Sequence, residues 1–524
     1  MSARIVASEG LPVIQARDVH DSKLSLNADV VVVGSGAGGA IAAYELARAG
    51  RSVIVLESGP YVPSADMKES LLDAWEHLYV EQGWQTNHNN DVKILQGSCV
   101  GGSSVVSAGI MQRTPDHVLK LWQSQYGLTN LTRYTLEPYF QSLEENLSIH
   151  KNTEAEINAN SRKLVEGAKA QGMNWNPLSR AVKDCALTGM CLSGCQSGRK
   201  QSMLVTYLPW AQAFGAQIFA DTTATKILSK KGKVSGLQAE MRNPATGAKV
   251  ADVEVSAKVV VLAAGAVGTP RLLKASRLAK GSGQLGRNFS LNPAVAVLGK
   301  FAEPVYGWRG AFAGVGVDEF ARPEKGGFYM QASMAGPEML LWAAESGTGE
   351  AHMNFMQDYK NMACVNVHIQ DGADGDVGIL TDASAITWGM SHDRFTLVKK
   401  AVTVAAKTLF AAGATEVFLP TFPSMAVTNE AHVEPLLDRL LYGTNGETTF
   451  RYFSYHPQGS CRMGFDPDHA VVNPYGECHD VKNLFVADAS ILPPGLNGNP
   501  ELTVGVLSSY IADHIRMGGA RYFG

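Results

Sequence analysis

Residues 29–39 of the chain read DVVVVGSGAGG, and they predict a buried β-strand that turns directly into a helix. A run of valines is typical of a parallel strand that is covered on both faces. Gly34 would permit the tight turn, Gly36 would let the backbone approach a pyrophosphate, and Gly39 would let the helix pack on the strand. The stretch therefore favours a dinucleotide-binding loop.

The residues that follow this loop support the same interpretation. A helical stretch over residues 40–49 ends at Gly50, and a second apolar strand over residues 52–56 leads into Glu57. Glu57 lies where a carboxylate would bind ribose hydroxyls, and the helix N-terminus would offer N–H groups to phosphates. A glycine-rich turn with only a structural role would not explain Glu57, so we predict a dinucleotide-binding α/β domain.

The composition bounds the class of protein. With 524 residues, 45% of them hydrophobic, the chain can bury a large core and is predicted to form two domains. Its 45 basic and 49 acidic residues give a formal charge of −4 without long runs of either sign, which argues against nucleic acid as a partner. The first 28 residues lack an apolar signal segment, and the longest apolar stretch, residues 259–268, is too short to span a bilayer. We therefore expect a cytoplasmic protein without a transmembrane segment.

The C-terminal region contains two side chains suited to alcohol oxidation. They are His456, within the stretch 455–464 that reads YHPQGSCRMG, and Asn499. A neutral imidazole could accept a hydroxyl proton, and an amide could hydrogen-bond the same oxygen. Each residue precedes a proline, which biases its backbone towards an extended conformation. Taken alone, His456 could equally be a structural histidine and Asn499 a turn residue. Alcohol oxidation also requires a hydride acceptor nearby.

Two further motifs complete a pattern that resembles the glucose–methanol–choline (GMC) family of flavin oxidoreductases. Residues 96–104 read QGSCVGGSS, and residues 265–273 read GAVGTPRLL after an apolar strand. With the nucleotide loop and the C-terminal segment, they follow the order of the family's motifs. The resemblance implies a Rossmann-like FAD-binding α/β domain and an α+β substrate domain built on an antiparallel sheet.

The same resemblance sets the predicted domain boundaries, and it assembles both domains from separate segments of the chain. Residues 1–114, 205–300 and 452–524 would form the FAD-binding domain. Residues 115–204 and 301–451 would form the substrate domain.

The resemblance also implies roles for individual residues. His456 and Asn499 would be the catalytic pair, acting while hydride moves from the carbinol carbon to flavin N5. Residues 104–107, SVVS, offer no histidine for a covalent link, so we expect noncovalent FAD. Ser107 stands where many members carry asparagine. The residues implied to contact the cofactor are Gly34, Ser35, Gly36, Gly39, Glu57, Gly101, Gly102, Ser103, Ser107, Ala264, Asp488, Pro500 and Thr503.

Three closely spaced cysteines raise a separate question. Cys185, Cys191 and Cys195 have the soft thiolates that iron–sulfur clusters require. Their spacing is similar to that in sugar dehydrogenases of this family, which carry a three-iron (3Fe-4S) cluster. It is also similar to a stretch in long-chain alcohol oxidases, for which no cluster is implied. A disulfide or a compact loop with buried thiols would fit the spacing as well.

The predicted substrate is a neutral alcohol, which would be oxidised to the carbonyl compound. Residues 328–362 contain six methionines, whose thioethers would suit an apolar or aromatic substrate, or would only fill gaps in the core. Oxygen or another electron acceptor would then reoxidise the flavin. Two alternatives stay open: a sugar dehydrogenase subunit with an iron–sulfur cluster, and a flavin-containing lyase of the same fold without net redox chemistry.

Overall fold

The computed structural model describes residues 11–339, 348–380, 385–444 and 446–524. Within these ranges the strands are β1 (Lys23–Val33), β2 (Val53–Leu56), β3 (Val92–Ile94), β4 (Ile149–Lys151), β5 (Asn176–Pro177), β6 (Ser179–Ala181), β7 (Gln217–Phe219), β8 (Thr222–Lys230), β9 (Lys233–Arg242), β10 (Lys249–Leu262), β11 (Arg287–Phe289), β12 (Ala294–Lys300), β13 (Ala313–Val317), β14 (Phe328–Ser333), β15 (Met362–Ile369), β16 (Gly375–Val377), β17 (Ile386–Thr387), β18 (Glu416–Leu419), β19 (Met425–Val427), β20 (Tyr452–Ser454) and β21 (Leu484–Val486).

The α-helices of the described residues surround these strands. They are α1 (Ala37–Arg48), α2 (Leu71–Leu78), α3 (Ser103–Val106), α4 (Asp116–Tyr126), α5 (Arg133–Asn146), α6 (Ala159–Ala170), α7 (Tyr207–Ala213), α8 (Gly265–Ser276), α9 (Glu350–Gln357), α10 (His392–Ala411), α11 (Val433–Asp438), α12 (Gly446–Thr449), α13 (Glu501–Met517) and α14 (Ala520–Phe523). Among them, none is both long and apolar enough to cross a membrane.

The first large sheet contains the predicted dinucleotide-binding unit. Its strand order is β7-β2-β1-β10-β9-β8, with β21 paired to β10. The strands β7, β2, β1, β10 and β21 run parallel, whereas β8 and β9 form antiparallel pairs at one side. Val30, Val31 and Val32 are fully buried in β1, as their run of apolar side chains predicted. The predicted Rossmann-like α/β architecture is therefore confirmed.

A turn of unusual backbone geometry joins β1 to α1. Gly34 has a φ of +96°, and a Cβ there would lie 2.3 Å from the carbonyl oxygen of Ala263. A Cβ on Gly39 would lie 2.0 Å from the carbonyl oxygen of Gly34. Only glycine fits either position, because a side chain would separate α1 from the strands beneath it. The two glycines thus place the N-terminus of α1 directly above the carboxyl end of the sheet.

The second large sheet is mainly antiparallel, as the family resemblance implied. Its order is β19-β18-β12-β15-β14-β13-β5, with β20 paired to both β12 and β3. The long helix α10 begins where the Ser391 hydroxyl accepts the N–H of Arg394, and it buries Val398 and Val402 against one face of this sheet. Side chains on the opposite face line a cavity that residues of the first sheet also line. The domain boundaries themselves stay a prediction. The strands β3, β12 and β20 lie in segments that this prediction assigns to the FAD-binding domain, and they hydrogen-bond within the second sheet.

Candidate active site

A cavity of about 540 Å³ lies between the two sheets and joins the sequence motifs. One part is lined by the β1–α1 turn at Gly34 and Gly36. Another part is lined by His456 and Asn499, together with Gln331 from the second sheet. The strands of the two sheets thus bring residues that are hundreds of positions apart to one space.

Glu57 is held at the carboxyl end of β2 by the nucleotide loop. Its Oε2 accepts hydrogen bonds from the backbone N–H of Ser35 at 2.9 Å and from the Ser35 hydroxyl at 2.7 Å. Its Oε1 accepts the N–H of Gly59 at 2.9 Å. Burial raises the pKa of the Glu57 carboxyl, and these hydrogen bonds oppose that rise. The carboxylate is therefore fixed in position where it lines the cavity.

The loop before α3 touches the nucleotide loop directly. The N–H of Gly101 donates to the Ser35 hydroxyl at 2.9 Å. Gly102 has a φ of +55°, and a Cβ there would lie 2.7 Å from the Cα of Gly36. Among the described residues, no side chain caps the N-terminus of α1, whose N-cap is Gly36. The N–H groups at the start of α1 and the close approach of Gly36 and Gly102 therefore form a cradle suited to a dinucleotide pyrophosphate.

Asp488 anchors a second helix N-terminus beside the same cavity. Its Oδ2 accepts the N–H of Gly265 at 2.9 Å and the Thr269 hydroxyl at 2.5 Å, and its Oδ1 accepts the N–H of Ser490. Burial raises the pKa of the Asp488 carboxyl, against the effect of these bonds. The carboxyl end of β21 is thereby tied to the start of α8, where Ala264 also lines the cavity.

His456 and Asn499, which the family resemblance implied as a pair, lie side by side in the cavity wall. The Asn499 Nδ2 is 3.2 Å from the His456 Nε2, and the Asn499 Oδ1 accepts the side-chain N–H of Gln331 at 2.6 Å. His456 is 5% exposed, and its Nδ1 is buried without a hydrogen-bond partner among the described residues. Burial, and secondarily the neighbouring His368, lowers the pKa of His456 well below its usual value. The imidazole is therefore neutral and able to accept a proton.

The residues around Ser107 form a partly buried polar cluster that the sequence did not predict. The Ser107 hydroxyl donates to the backbone carbonyl of Ser104 at 3.3 Å and accepts the N–H of Gly109 at 3.1 Å, and Glu501, the first residue of α13, lines the same cavity. Lys200 is 3% exposed, and its Nζ donates to the backbone carbonyls of Val105, Ser107 and Cys191 at 2.6, 2.6 and 2.7 Å. Lys200 thus ties the cysteine-containing segment to the C-terminal end of α3, and it fixes the backbone beside the cavity.

The three cysteines do not converge on a common centre. The Cys185 Sγ lies 3.8 Å from an Arg180 guanidinium nitrogen, whereas the Cys195 Sγ accepts the N–H of Lys200 at 3.3 Å. In the described part of the chain, no three His, Cys, Asp or Glu side chains are placed to hold a metal ion. The iron–sulfur site inferred from Cys185, Cys191 and Cys195 is therefore not supported. Their spacing brought the residues into one segment but did not fix the directions of the thiols.

The structure separates the predicted cofactor residues into two groups. Four of them do not line the cavity: Ser35, Gly39, Gly101 and Thr503. The Thr503 hydroxyl instead pairs with the Thr114 hydroxyl at 2.8 Å. The remaining predicted residues line it, and they are Gly34, Gly36, Glu57, Gly102, Ser103, Ser107, Ala264, Asp488 and Pro500.

The methionine-rich segment contributes to the core instead of the cavity wall. Met330 packs in the core beneath the second sheet, while Met334 and Met362 belong to a smaller apolar cluster. Met353 is exposed, and no methionine lines the cavity among the described residues. Of the apolar run MLLWAA at residues 339–344, only Met339 is described, and it is buried in the main core; residues 340–344 lie outside the described residues. The gap-filling interpretation of the described methionines is thus the one that their surroundings favour.

Sequence reasoning missed Gln331 and His368, which are polar residues in mostly apolar strands. The strands read FYMQAS in β14 and MACVNVHI in β15. Polar residues alternate there as Gln331 and Ser333, and as Asn366 and His368. Side chains two apart share one face of a strand, so this alternation was the available signal.

Comparison with known proteins identifies the family to which the nucleotide loop and the His456–Asn499 site belong. GMC oxidoreductase family models match residues 75–294 and 381–508, and an NAD(P)-binding Rossmann-like domain model matches residues 32–93.

An uncharacterized GMC-type oxidoreductase of Mycobacterium tuberculosis is 30% identical, over 94% of this chain and 76% of its own. A long-chain-alcohol oxidase of Arabidopsis thaliana is 28% identical, over 93% of this chain and 68% of its own. Pyridoxine 4-oxidase from Mesorbium loti has a similar fold, with a TM-score of 0.70 and 18% identity over 93% of this chain and 99% of that chain. With two family models covering more than half of its length, the chain belongs to the GMC oxidoreductase family.

Proposed function

We propose that the protein binds FAD noncovalently and oxidises a neutral alcohol to the corresponding carbonyl compound. The observation that carries this proposal is the His456–Asn499 pair, which lines the same cavity as the nucleotide loop. FAD, when bound, would supply the hydride acceptor that alcohol oxidation requires. His456 would take the hydroxyl proton as general base, and Asn499 would hydrogen-bond the same oxygen and stabilise its developing negative charge.

The residues around the cavity fit FAD. The uncapped N-terminus of α1 and the glycine contact between Gly36 and Gly102 would receive the pyrophosphate, and Glu57 would bind ribose hydroxyls. Residues 104–107 contain no histidine that could link the flavin covalently. The long-chain-alcohol oxidase among the relatives supports an alcohol as the substrate class.

Anaerobic mixing of the purified holoprotein with alcohols tests the proposal. Aliphatic, aryl and sugar alcohols should be screened, and a substrate should bleach the flavin absorbance. The His456→Ala variant should retain FAD but reduce it at least about 10²-fold more slowly, the scale of lost general-base catalysis. His469→Ala is the matched control, since that histidine is exposed and its ring pairs with the carboxylate of Asp466.

Two outcomes would contradict the proposal. If no alcohol bleached the flavin, the redox assignment would fail and a flavin-containing lyase would be favoured. If His456→Ala reduced FAD at the rate of the unaltered protein, His456 would not be the base. Repeating the assay with oxygen and with an artificial acceptor would separate an oxidase from a dehydrogenase.

A further inference from the structure

Four neutral polar residues form one patch on the cavity face of the second sheet. The patch comprises Gln331 and Ser333 from β14, and Asn366 and His368 from β15. The strands pair antiparallel with Gln331 opposite Asn366, so the four side chains share one face. The intervening residues, such as Val365 and Val367, point into the core on the other side. The cavity wall beside the catalytic pair is therefore polar, although the strands are mostly apolar.

Three members of this patch already have hydrogen-bond partners within the protein. Gln331 donates to Asn499, and the Asn366 amide donates to both the carbonyl and the hydroxyl of Ser333. His368 differs from them. It is 3% exposed, it lines the cavity, and its Nδ1 has no hydrogen-bond partner within the described ranges of the chain. An unsatisfied buried polar group costs about 1–3 kcal/mol, so this imidazole is suited to a partner that the protein does not itself provide.

The chemistry of the patch selects a neutral partner. Its other members are two amides and a hydroxyl, and burial lowers the pKa of His368 to about 4, which keeps its imidazole uncharged. The charged residues that line the cavity belong to other elements: Glu57 follows β2, Asp488 follows β21, Glu501 begins α13 and Arg271 lies in α8. A charged substrate group beside the patch would lose its hydration without gaining a counter-ion. A hydroxyl or carbonyl oxygen would gain a hydrogen bond instead.

The position of His368 relative to His456 limits where that oxygen can be. The two ring centroids are 5.2 Å apart, and the ring planes are inclined by 32°. Hydrogen bonds to imidazole nitrogens are about 3 Å long. Because both rings line the same cavity, we expect two oxygens bound on their cavity sides to lie close together in the substrate, on adjacent or next-but-one carbons. Oxygens at opposite ends of a longer chain would not reach both rings in an extended conformation.

We propose that the substrate carries a second neutral oxygen one or two carbons from the carbinol that is oxidised, and that His368 binds this oxygen. This proposal rests on the proposed alcohol oxidation and specifies its substrate class. It replaces the expectation of a wholly apolar or aromatic alcohol with that of a vicinal or 1,3-oxygenated one. No residue of the nucleotide-binding elements is required for this selectivity.

Four matched alcohols test the proposal: 1-hexanol, 1,2-hexanediol, 1,3-hexanediol and 1,6-hexanediol. The measurement is kcat/KM for anaerobic FAD reduction in the holoprotein. Either the 1,2-diol or the 1,3-diol should exceed both 1-hexanol and the 1,6-diol by about 10-fold or more, as expected for one hydrogen bond to a buried group. In His368→Leu this ratio should fall towards one through a higher KM for the preferred diol. His368→Gln, which keeps a hydrogen-bonding side chain, should restore part of it.

The outcomes distinguish this inference from the function on which it rests. Reduction of FAD by 1-hexanol without preference for a neighbouring diol would overturn the second-oxygen site and leave alcohol oxidation standing. A diol preference that persisted in His368→Leu would overturn the role of His368. Failure of all four alcohols and of the wider alcohol screen would overturn the proposed function, and this inference with it. The ratio in the unaltered protein is decisive even if a variant folds poorly.

Discussion

The Asn499 amide has hydrogen-bond partners on both sides, and this sets the protonation of the neighbouring histidine. Because the Asn499 Oδ1 accepts from Gln331, its Nδ2 faces the Nε2 of His456 and donates to it. An Nε2 that accepts a hydrogen bond is unprotonated, so the proton of the neutral ring resides on Nδ1. The lone pair needed to take a proton is therefore located on the side of the ring that adjoins Asn499.

The lowered pKa of His456 leads to a prediction about pH. Burial and the adjacent His368 disfavour the imidazolium form, so the base stays neutral well below pH 6.5. The rate of FAD reduction at saturating alcohol should stay constant from about pH 8 to pH 6.5 and fall only under more acidic conditions. Anaerobic stopped-flow measurements across this range would check it. An acidic limb centred above pH 6.5 would contradict the neutral, buried base.

At the scale of elements, the two glycine loops that meet above the first sheet determine the shape of the proposed cofactor site. Gly102→Ala would place a Cβ 2.7 Å from the Cα of Gly36, so the loops would have to separate. We expect the variant to lose much of its bound FAD, measured by flavin absorbance per protein after desalting.

A second glycine separates this steric effect from backbone strain. Gly172 follows α6 with a φ of +68°, and a Cβ there would meet nothing within 4 Å. Gly172→Ala should therefore cost about 1–2 kcal/mol of folding stability through its left-handed backbone alone, while binding FAD normally. Equal FAD content in Gly102→Ala and Gly172→Ala would show that the close approach of the two loops is not needed for binding.

The elements differ in how well the sequence predicted them. The β1–α1–β2 unit was predictable because its turn, its glycines and its apolar runs obey short-range backbone rules. The cysteine segment was not, because the number of residues between thiols does not determine where they point. Lys200 links the cysteine segment to the end of α3, because its three carbonyl partners come from these two separate segments.

At the scale of the whole molecule, the cavity lies between two sheets, so a bound dinucleotide would contact both. Removing noncovalent FAD should therefore lower the melting temperature. A ligand at 100 times its Kd stabilises the folded state by about 2.7 kcal/mol. Calorimetry of the holoprotein in excess FAD, of the apoprotein, and of the apoprotein with FAD restored would measure this. Melting at one temperature in all three samples would contradict binding of FAD between the sheets.

The sequence by itself determined the nucleotide-binding unit, the order of the family motifs, and His456 and Asn499 as candidates for catalysis. The nucleotide-binding unit follows from local patterns, in which neighbouring residues constrain one another's backbone, whereas the pairing of His456 with Asn499 was implied by the family resemblance. Only the tertiary structure decided that Gln331, 168 positions away, orients Asn499, and that His368 adjoins His456. Whether a buried polar side chain finds a partner depends on the elements packed around it, and strand pairing between distant segments sets that packing.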